Sequence, residues 1–290
     1  MTKEPDYHTP VLLKEAISFL DIKPGQKYID ATAGGGGITA AILERGGKVL
    51  AIDWDEEAVN YLISRKFAKA DKLTLVRGNF SQIDEIGKRF GFGKVSGIVF
   101  DLGVSGHQLD KAERGFSFAK AGPLDMRMDK SLAVAAADLV NGLSENELFT
   151  IFKKFGEERY SRRIARGLVR ARRIAKITNT TQLAEIVARS ARRSSRVHPA
   201  TRVFQALRIA VNDELGNLTR AIPAAVSLLV KSGRIVVISF HSLEDRIVKN
   251  FFKSSQALRF LTKKPVRPSL AEIMANPRAR SAKLRAAVKL

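Results

Sequence analysis

The 290-residue chain has no cysteine, one tryptophan and few aromatics of any kind, 7% of its residues. Without cysteine, disulfide frameworks and thiolate metal sites are excluded, and so is any reaction that needs a cysteine nucleophile. No metal site is expected. No apolar run approaches the ~20 residues that a membrane-spanning helix requires. The stretch Met1-Thr2-Lys3-Glu4-Pro5-Asp6 is polar and partly acidic, unlike a secretory signal. A cytoplasmic setting without a membrane partner is therefore the expectation. The basic segments also lack the Trp-rich apolar companion face that would favour a lipid surface.

Acidic residues are scarce, and unevenly so. Lys and Arg number 50 against 29 Asp and Glu, a net charge of +21. Residues 1–105 hold 14 basic and 14 acidic residues, residues 106–212 hold 21 and 10, and residues 213–290 hold 15 and 5. A basic excess confined to the later part of a chain is the footprint of a polyanion partner; a solvated basic surface is the alternative. With 45% hydrophobic residues, the chain can build one large α/β domain or one domain with a sizeable insertion.

Apolar runs of four to six residues alternate with amphipathic stretches through the first hundred positions. Lys27–Asp30, Lys48–Asp53, Leu73–Arg77 and Gly97–Asp101 read as strands, separated by helices that hold Ile38 to Arg45, then Ala58, Leu62 and Ile63, then Ile83, Ile86 and Phe90. This is the pattern of βαβ units and a parallel, doubly wound sheet. The next comparable strand, Gly233–Ser239, comes far later than a βα connection needs. The intervening segment is helical in pattern. Ser144-Glu145-Asn146-Glu147 is a capping box leading into Leu148, Ile151, Phe152 and Phe155. Further helices carry Leu183, Ile186 and Val187, then Val203, Leu207 and Val211. The expectation is an α/β domain from residues 1–105 and 213–290, and an inserted all-helical domain, 106–212, for substrate recognition.

Asp30 ends the first strand and is followed by Gly34-Gly35-Gly36-Gly37 and a helix, which sets backbone N–H groups at a helix N-terminus. Asp53 ends the second strand, where a carboxylate can accept both hydroxyls of a ribose. These features indicate a nucleoside cofactor. Gly34 and Gly36 give a G-x-G, but Thr39 stands at the third glycine of the dinucleotide fingerprint. Asp30 would repel a pyrophosphate and suits a cofactor with a cationic amino group and a sulfonium. S-adenosyl-L-methionine is therefore preferred over a nicotinamide dinucleotide; a tight turn with a capping aspartate is the plainer alternative. Asp101 lies at the end of the fourth strand, where open α/β sheets place their active sites. Phe80 offers a flat wall for adenine, although a lone Phe is more often core.

Longer strings carry a resemblance. They include His8-Thr9-Pro10-Val11-Leu12-Leu13-Lys14-Glu15, Asp101-Leu102-Gly103-Val104-Ser105, Arg114-Gly115-Phe116-Ser117-Phe118 and Gly122-Pro123-Leu124-Asp125-Met126-Arg127-Met128. The second half adds His198-Pro199-Ala200-Thr201-Arg202, Ser239-Phe240-His241-Ser242-Leu243-Glu244-Asp245-Arg246 and Asn276-Pro277-Arg278-Ala279-Arg280-Ser281. Over nearly its whole length the chain resembles the bacterial 16S rRNA cytosine-N4 methyltransferases, the RsmH or MraW family. The resemblance implies methyl transfer from S-adenosyl-L-methionine to the exocyclic N4 of a cytidine in the decoding region of 16S rRNA, with the small ribosomal subunit as partner. It implies cofactor contacts at Gly36, Gly37, Ile38, Asp53, Phe80, Asp101 and Gln108. Two departures stand out: Ile38 replaces the family's usual histidine, and Ser105-Gly106-His107 replaces Ser-Ser-Pro before Gln108.

The chemistry narrows further. Methylation at cytosine C5 generally proceeds through a cysteine thiolate, which this chain lacks. An amino nitrogen, a ribose oxygen or another non-covalent target remains. An N4 amino group needs an acceptor for its hydrogens, and Asp101 is the nearest candidate by position, although it is equally placed to hold the cofactor. His241, after the late strand, is a candidate for hydrogen bonding to base or phosphate; a packed or capping histidine is the alternative. Arg159, Arg162, Arg163, Arg166, Arg170, Arg172 and Arg173 recur at helical spacing in the insert, and Arg162, Arg166, Arg173 and Arg202 are candidate RNA contacts. Arg192, Arg193 and Arg196, with Arg278, Arg280, Lys283 and Arg285, extend the basic character. Three readings compete: the cytosine-N4 enzyme, a methyltransferase for another RNA or DNA amino group, and a catalytically silent rRNA-binding assembly factor. Oligomeric state is open, a homodimer included.

Overall fold

The structure, a computed structural model, describes residues 10–65, 67, 70–191 and 198–290. After helix α1 (Leu13–Leu20) the chain runs β1 (Lys27–Asp30), α2 (Gly37–Glu44), β2 (Lys48–Asp53), α3 (Glu56–Ser64), β3 (Leu73–Arg77), α4 (Ile83–Arg89) and β4 (Val95–Asp101). Six helices follow: α5 (Gly106–Asp110), α6 (Ala136–Gly142), α7 (Glu145–Gly156), α8 (Ser161–Ile174), α9 (Thr180–Ser190) and α10 (Ala200–Asn212). The chain ends with α11 (Glu214–Leu228), β5 (Leu229–Ser239), α12 (Ser242–Ser254), β6 (Leu258–Phe260), α13 (Leu270–Ala275) and β7 (Lys283–Lys289). The described residues form two compact units, one up to Ser105 together with Leu215–Leu290, the other Gly106–Glu214.

In the first unit a seven-stranded sheet has the order β3-β2-β1-β4-β5-β7-β6. Strands β1 to β5 are parallel, and β7 joins β5 and β6 antiparallel. The order reverses between β1 and β4, so the crevice beyond the carboxyl ends of these two strands is where a ligand fits such a sheet. Side chains alternate across the pleat. Ile29, Leu50, Ile52, Ile98, Phe100, Ile235 and Val237 pack on one face with Leu218, Ile222, Val248 and Phe252 of α11 and α12. Tyr28, Val49, Ala51, Val99, Val236 and Ile238 pack on the other, with Leu12, Ile17, Leu20, Ile42 and Leu43. Apolar helices cover both faces, which is why the central strands read as unbroken apolar runs. The doubly wound, mainly parallel sheet is thus observed.

The sequence reading misses β6 and β7. In β7 the segment Lys283-Leu284-Arg285-Ala286-Ala287-Val288-Lys289 looks like a basic tail, yet it pairs with β5 residue for residue from Arg234↔Val288 to Ser239↔Lys283. Arg285 is buried there: its Nε donates to Asp245 Oδ1 at 2.6 Å and its Nη2 to Oδ2 at 3.3 Å, while Lys283 Nζ stands 3.5 Å from the same carboxylate. These two residues therefore do not belong to an exposed basic surface, a correction to the expectation.

The second unit is all-helical among its described elements. The capping box is present: Ser144 Oγ accepts from the Glu147 N–H at 3.3 Å and Glu147 Oε2 accepts from the Ser144 N–H at 2.8 Å. Arg114 is fully buried and donates to the carbonyls of Arg127 (3.1 Å) and Met128 (3.0 Å). Arg127 forms a two-pronged pair with Asp125, at 2.8 and 2.9 Å. Gly115, at φ +72°, sits so close to the Pro123 carbonyl and the Asp125 N–H that no side chain fits. The compositionally unusual strings at 114–118 and 122–128 thus fold into one interlocked turn.

Candidate active site

Asp30, Asp53 and Asp101 end β1, β2 and β4, so three carboxyl groups gather at one edge of the sheet. The strand ends are tied to the loops beside them. The Gly34 N–H donates to Asp53 Oδ2 at 2.7 Å, and the Asp55 N–H donates to Asp53 Oδ1 at 2.9 Å. The Asp101 N–H donates to Thr32 Oγ1 at 2.6 Å, tying β4 to the turn after β1 at the point where strand order reverses. Phe80 follows β3 on a short 3₁₀ turn and meets Phe100 edge-on, with ring centroids 5.8 Å apart. It is only partly buried.

Asp30 is enclosed by the protein. It is 1% exposed; its Oδ2 accepts from Thr39 Oγ1 at 2.7 Å and its Oδ1 from the Thr32 N–H at 3.3 Å. Thr39, the residue that breaks the dinucleotide fingerprint, is thus the partner that braces Asp30 beneath the loop. Both carboxylate oxygens of Asp30 are thus engaged within the protein. Burial pushes its carboxyl up to about 7, against the hydrogen bonds from Thr39 and Thr32, and the charges of Asp101 and Asp53 add to the rise. Burial likewise pushes Asp53 up to about 6, opposed by the N–H groups of Asp55 and Gly34. Two buried carboxyls raised in this way, with the charges of neighbouring aspartates adding to the rise, mark a site that gains from a cation.

The glycine loop turns through left-handed backbone at Gly34 (φ +50°) and Gly36 (φ +76°). At Gly36 a side chain would meet Leu62 Cδ2 at 2.5 Å and Phe67 Cζ at 2.8 Å, and at Gly37 it would strike Pro10. Part of the glycine requirement is therefore packing by the protein itself. Ile38 is 4% exposed and lies in the apolar core, so its side chain is a core residue and only its backbone faces the loop. Gln108 is buried on α5 in the helical unit.

His241 is the N-cap of α12. Its Nδ1 accepts from the Glu244 N–H at 3.5 Å, its Nε2 stands 3.2 Å from Glu244 Oε1, and its side chain is 8% exposed. Glu244 is itself buried and accepts from the N–H groups of Phe240 (2.8 Å) and His241 (3.3 Å). The imidazole is turned into this cap, which favours the capping alternative over substrate contact. Sequence reasoning missed Thr32, Thr39 and Glu244; the capping-box spacing His241-x-x-Glu244 was the available signal for the last.

In the helical unit, Arg162, Arg166 and Arg173 are exposed on α8, and Arg202 is exposed on α10 with its Nη1 on the Glu157 carbonyl at 3.2 Å. Arg172 is used internally, donating to the Val140 carbonyl at 2.7 Å. His8, Thr9, Arg192, Arg193 and Arg196 lie outside the described residues.

A doubly wound sheet with clustered carboxylates fits a nucleoside cofactor carrying positive charge, and comparison with known proteins agrees. Residues 6–290 match the MraW methylase family. The chain belongs to that family. A protein of Symbiobacterium thermophilum named ribosomal RNA small subunit methyltransferase H is 46% identical over 308 residues, covering 98% of this chain and 97% of its own. Proteins of the same name from Carboxydothermus hydrogenoformans and Methylobacterium nodulans are 47% and 49% identical, covering 98% and 96% of this chain and 98% and 89% of their own. Among solved structures, a methyltransferase of Streptococcus mutans described in complex with SAH aligns at TM-score 0.47 and 14% identity, covering 100% of both chains. This MraW-family chain is an S-adenosyl-L-methionine-dependent methyltransferase, and rRNA methylation is supported at the level of the family. Among the described residues no helix is long and apolar enough to cross a membrane.

Proposed function

We propose that the protein methylates the exocyclic N4 of a cytidine in the decoding region of 16S rRNA, with the helical insert serving substrate recognition in the cytoplasm. The observation that carries the reading is the carboxylate cluster at the β1–β4 edge. S-adenosyl-L-methionine supplies an electrophilic methyl on a cationic sulfur. Asp53 keeps acceptor capacity for ribose hydroxyls beyond its two backbone partners. Gly36, Gly37 and the Ile38 backbone border the loop, Phe80 is proposed to offer a face to adenine, and Gln108 is a further candidate residue for the cofactor. Asp101, partly exposed at the switch point, is the acceptor proposed to hold the N4 amino group in line and take up its hydrogen bond. With no cysteine in the chain, the thiolate route to the ring carbon is closed, which favours a nitrogen target. The relatives' name brings the small-subunit rRNA to this chain.

Transfer of labelled methyl to 16S rRNA, followed by digestion to nucleosides, tests the reading. N4-methylcytidine is expected. Label on adenine or ribose would favour the alternative of another acceptor, and tight rRNA binding without S-adenosyl-L-methionine binding would favour the silent assembly factor.

A further inference from the structure

Helix α8, Ser-Arg-Arg-Ile-Ala-Arg-Gly-Leu-Val-Arg-Ala-Arg-Arg-Ile, carries six arginines and no acidic residue in 14 positions. Its inward face is Ile164, Ala165 and Leu168, all fully buried. At 3.6 residues per turn, Arg162, Arg166, Arg170 and Arg173 fall within about 80° of the circumference and extend along about 16 Å of the axis. All four are exposed. They therefore stand in succession at like-charge spacings of three and four, an arrangement that destabilises a helix standing alone in water. A solvated helix would interleave acids at these positions. Here a half-buried acid from a neighbouring helix, Glu145 on α7, reaches Arg166 at 3.4 Å. The opposing arrangement is visible on the same helix, where Arg172 points away from the row and is consumed by the Val140 carbonyl.

The row is also shaped. The Arg162 guanidinium lies 4.6 Å from the centroid of the Phe149 ring on α7, which steadies its plane without using its N–H donors. A planar fork held in this way suits a phosphate oxygen pair. Ile174, 91% exposed, closes the row.

We propose that this arginine face of α8 takes the phosphodiester backbone of the substrate RNA, by charge and without reading bases. The inference rests on the proposed rRNA substrate and deepens it by naming the surface and the contacted group. Phosphates relieve the like-charge repulsion along the row, so the helix gains from the ligand what it lacks in intrachain partners.

The test uses the full-length protein and a transcribed fragment of 16S rRNA, titrated by fluorescence across a salt series. The quadruple variant Arg162→Gln, Arg166→Gln, Arg170→Gln, Arg173→Gln keeps good helix formers on the surface. It is expected to bind RNA about tenfold or more weakly at low salt, with the log K against log salt slope shallower by about 0.7 to 0.9 for each contact removed. Affinity for S-adenosyl-L-methionine and the far-UV spectrum should be unchanged. A control of equal charge loss on exposed lysines of the sheet unit, Lys249→Gln, Lys253→Gln, Lys263→Gln, Lys264→Gln, should stay within about threefold of the parent. Parental slope in the arginine variant, or equal losses in both variants, would overturn the proposal. If the quadruple variant fails to fold, the pairs Arg162/Arg166 and Arg170/Arg173 should each give about half the slope change. Nucleoside analysis separates the two readings: a different methylated base removes the N4 assignment and leaves the α8 surface standing.

Discussion

The Gly34 N–H donates to Asp53 Oδ2 at 2.7 Å across 19 residues of sequence. The turn after β1 and the end of β2 are therefore a single element: the group placed to accept ribose hydroxyls also fixes the glycine loop beside it. Either end altered, the other moves.

Asp53→Ala removes both the acceptor and the loop's anchor. S-adenosyl-L-methionine affinity by calorimetry should fall about tenfold to a hundredfold, the equivalent of one or two charge-assisted hydrogen bonds. Asp53→Asn keeps one acceptor oxygen and should fall less. Unchanged affinity in the alanine variant, with the fold intact, would remove Asp53 from the site.

The raised carboxyls give the site a pH signature. With Asp53 near 6 and Asp30 near 7, these groups bind protons in the free protein at pH values where ordinary carboxyls are ionised. A cationic cofactor favours their ionised forms, so binding should release protons between about pH 6 and 7 and tighten as pH rises through that window. Calorimetry in buffers of different ionisation enthalpy reads the proton count. Uptake of protons on binding, or none, would contradict the electrostatic account.

Asp101→Asn keeps the size of the side chain and its backbone link to Thr32 while removing the charge. The expected result is a fall in kcat of about a hundredfold or more, with the cofactor Kd changed only a few-fold. A collapse of cofactor affinity with little change in kcat would reassign Asp101 to holding the cofactor.

Asp245 and Arg285 tie α12 to β7. Burial alone would raise the Asp245 carboxyl, but the hydrogen bond and charge of Arg285, with Lys283, hold it below its ordinary value of 3.8. Its contribution to stability is therefore complete above that value and is lost as pH falls through the lower folded value. Arg285→Ala leaves the carboxylate without its main partner and should cost about 3 kcal/mol in urea unfolding at neutral pH. A loss within about 0.5 kcal/mol, the range of ordinary surface substitutions, would show the pair to be incidental.

The parallel core of the fold was legible because strands buried on both faces leave unbroken apolar runs, as in Val49-Leu50-Ala51-Ile52. The insert was legible through its helical periodicity and the Ser144–Glu147 capping box. Strand β7 was not, because two alanines and a buried arginine carry little strand propensity, and its place comes from pairing with β5 and from Asp245. At the site, spacing indicated Asp53 and Asp101 as strand-end carboxylates but not the enclosure of Asp30, which depends on Thr39 folding back across nine positions. His241 stayed open between substrate contact and a cap, since a strand-end histidine reads alike whether it faces a ligand or caps a helix through Glu244.

The acceptor atom decides what this enzyme does. Mass spectrometric mapping of 16S rRNA from cells with and without this protein should find one cytidine in the decoding region that loses a methyl on N4 when the protein is absent. Loss of a methyl from a ring carbon, a ribose or an adenine instead, with that cytidine unchanged, would contradict the account.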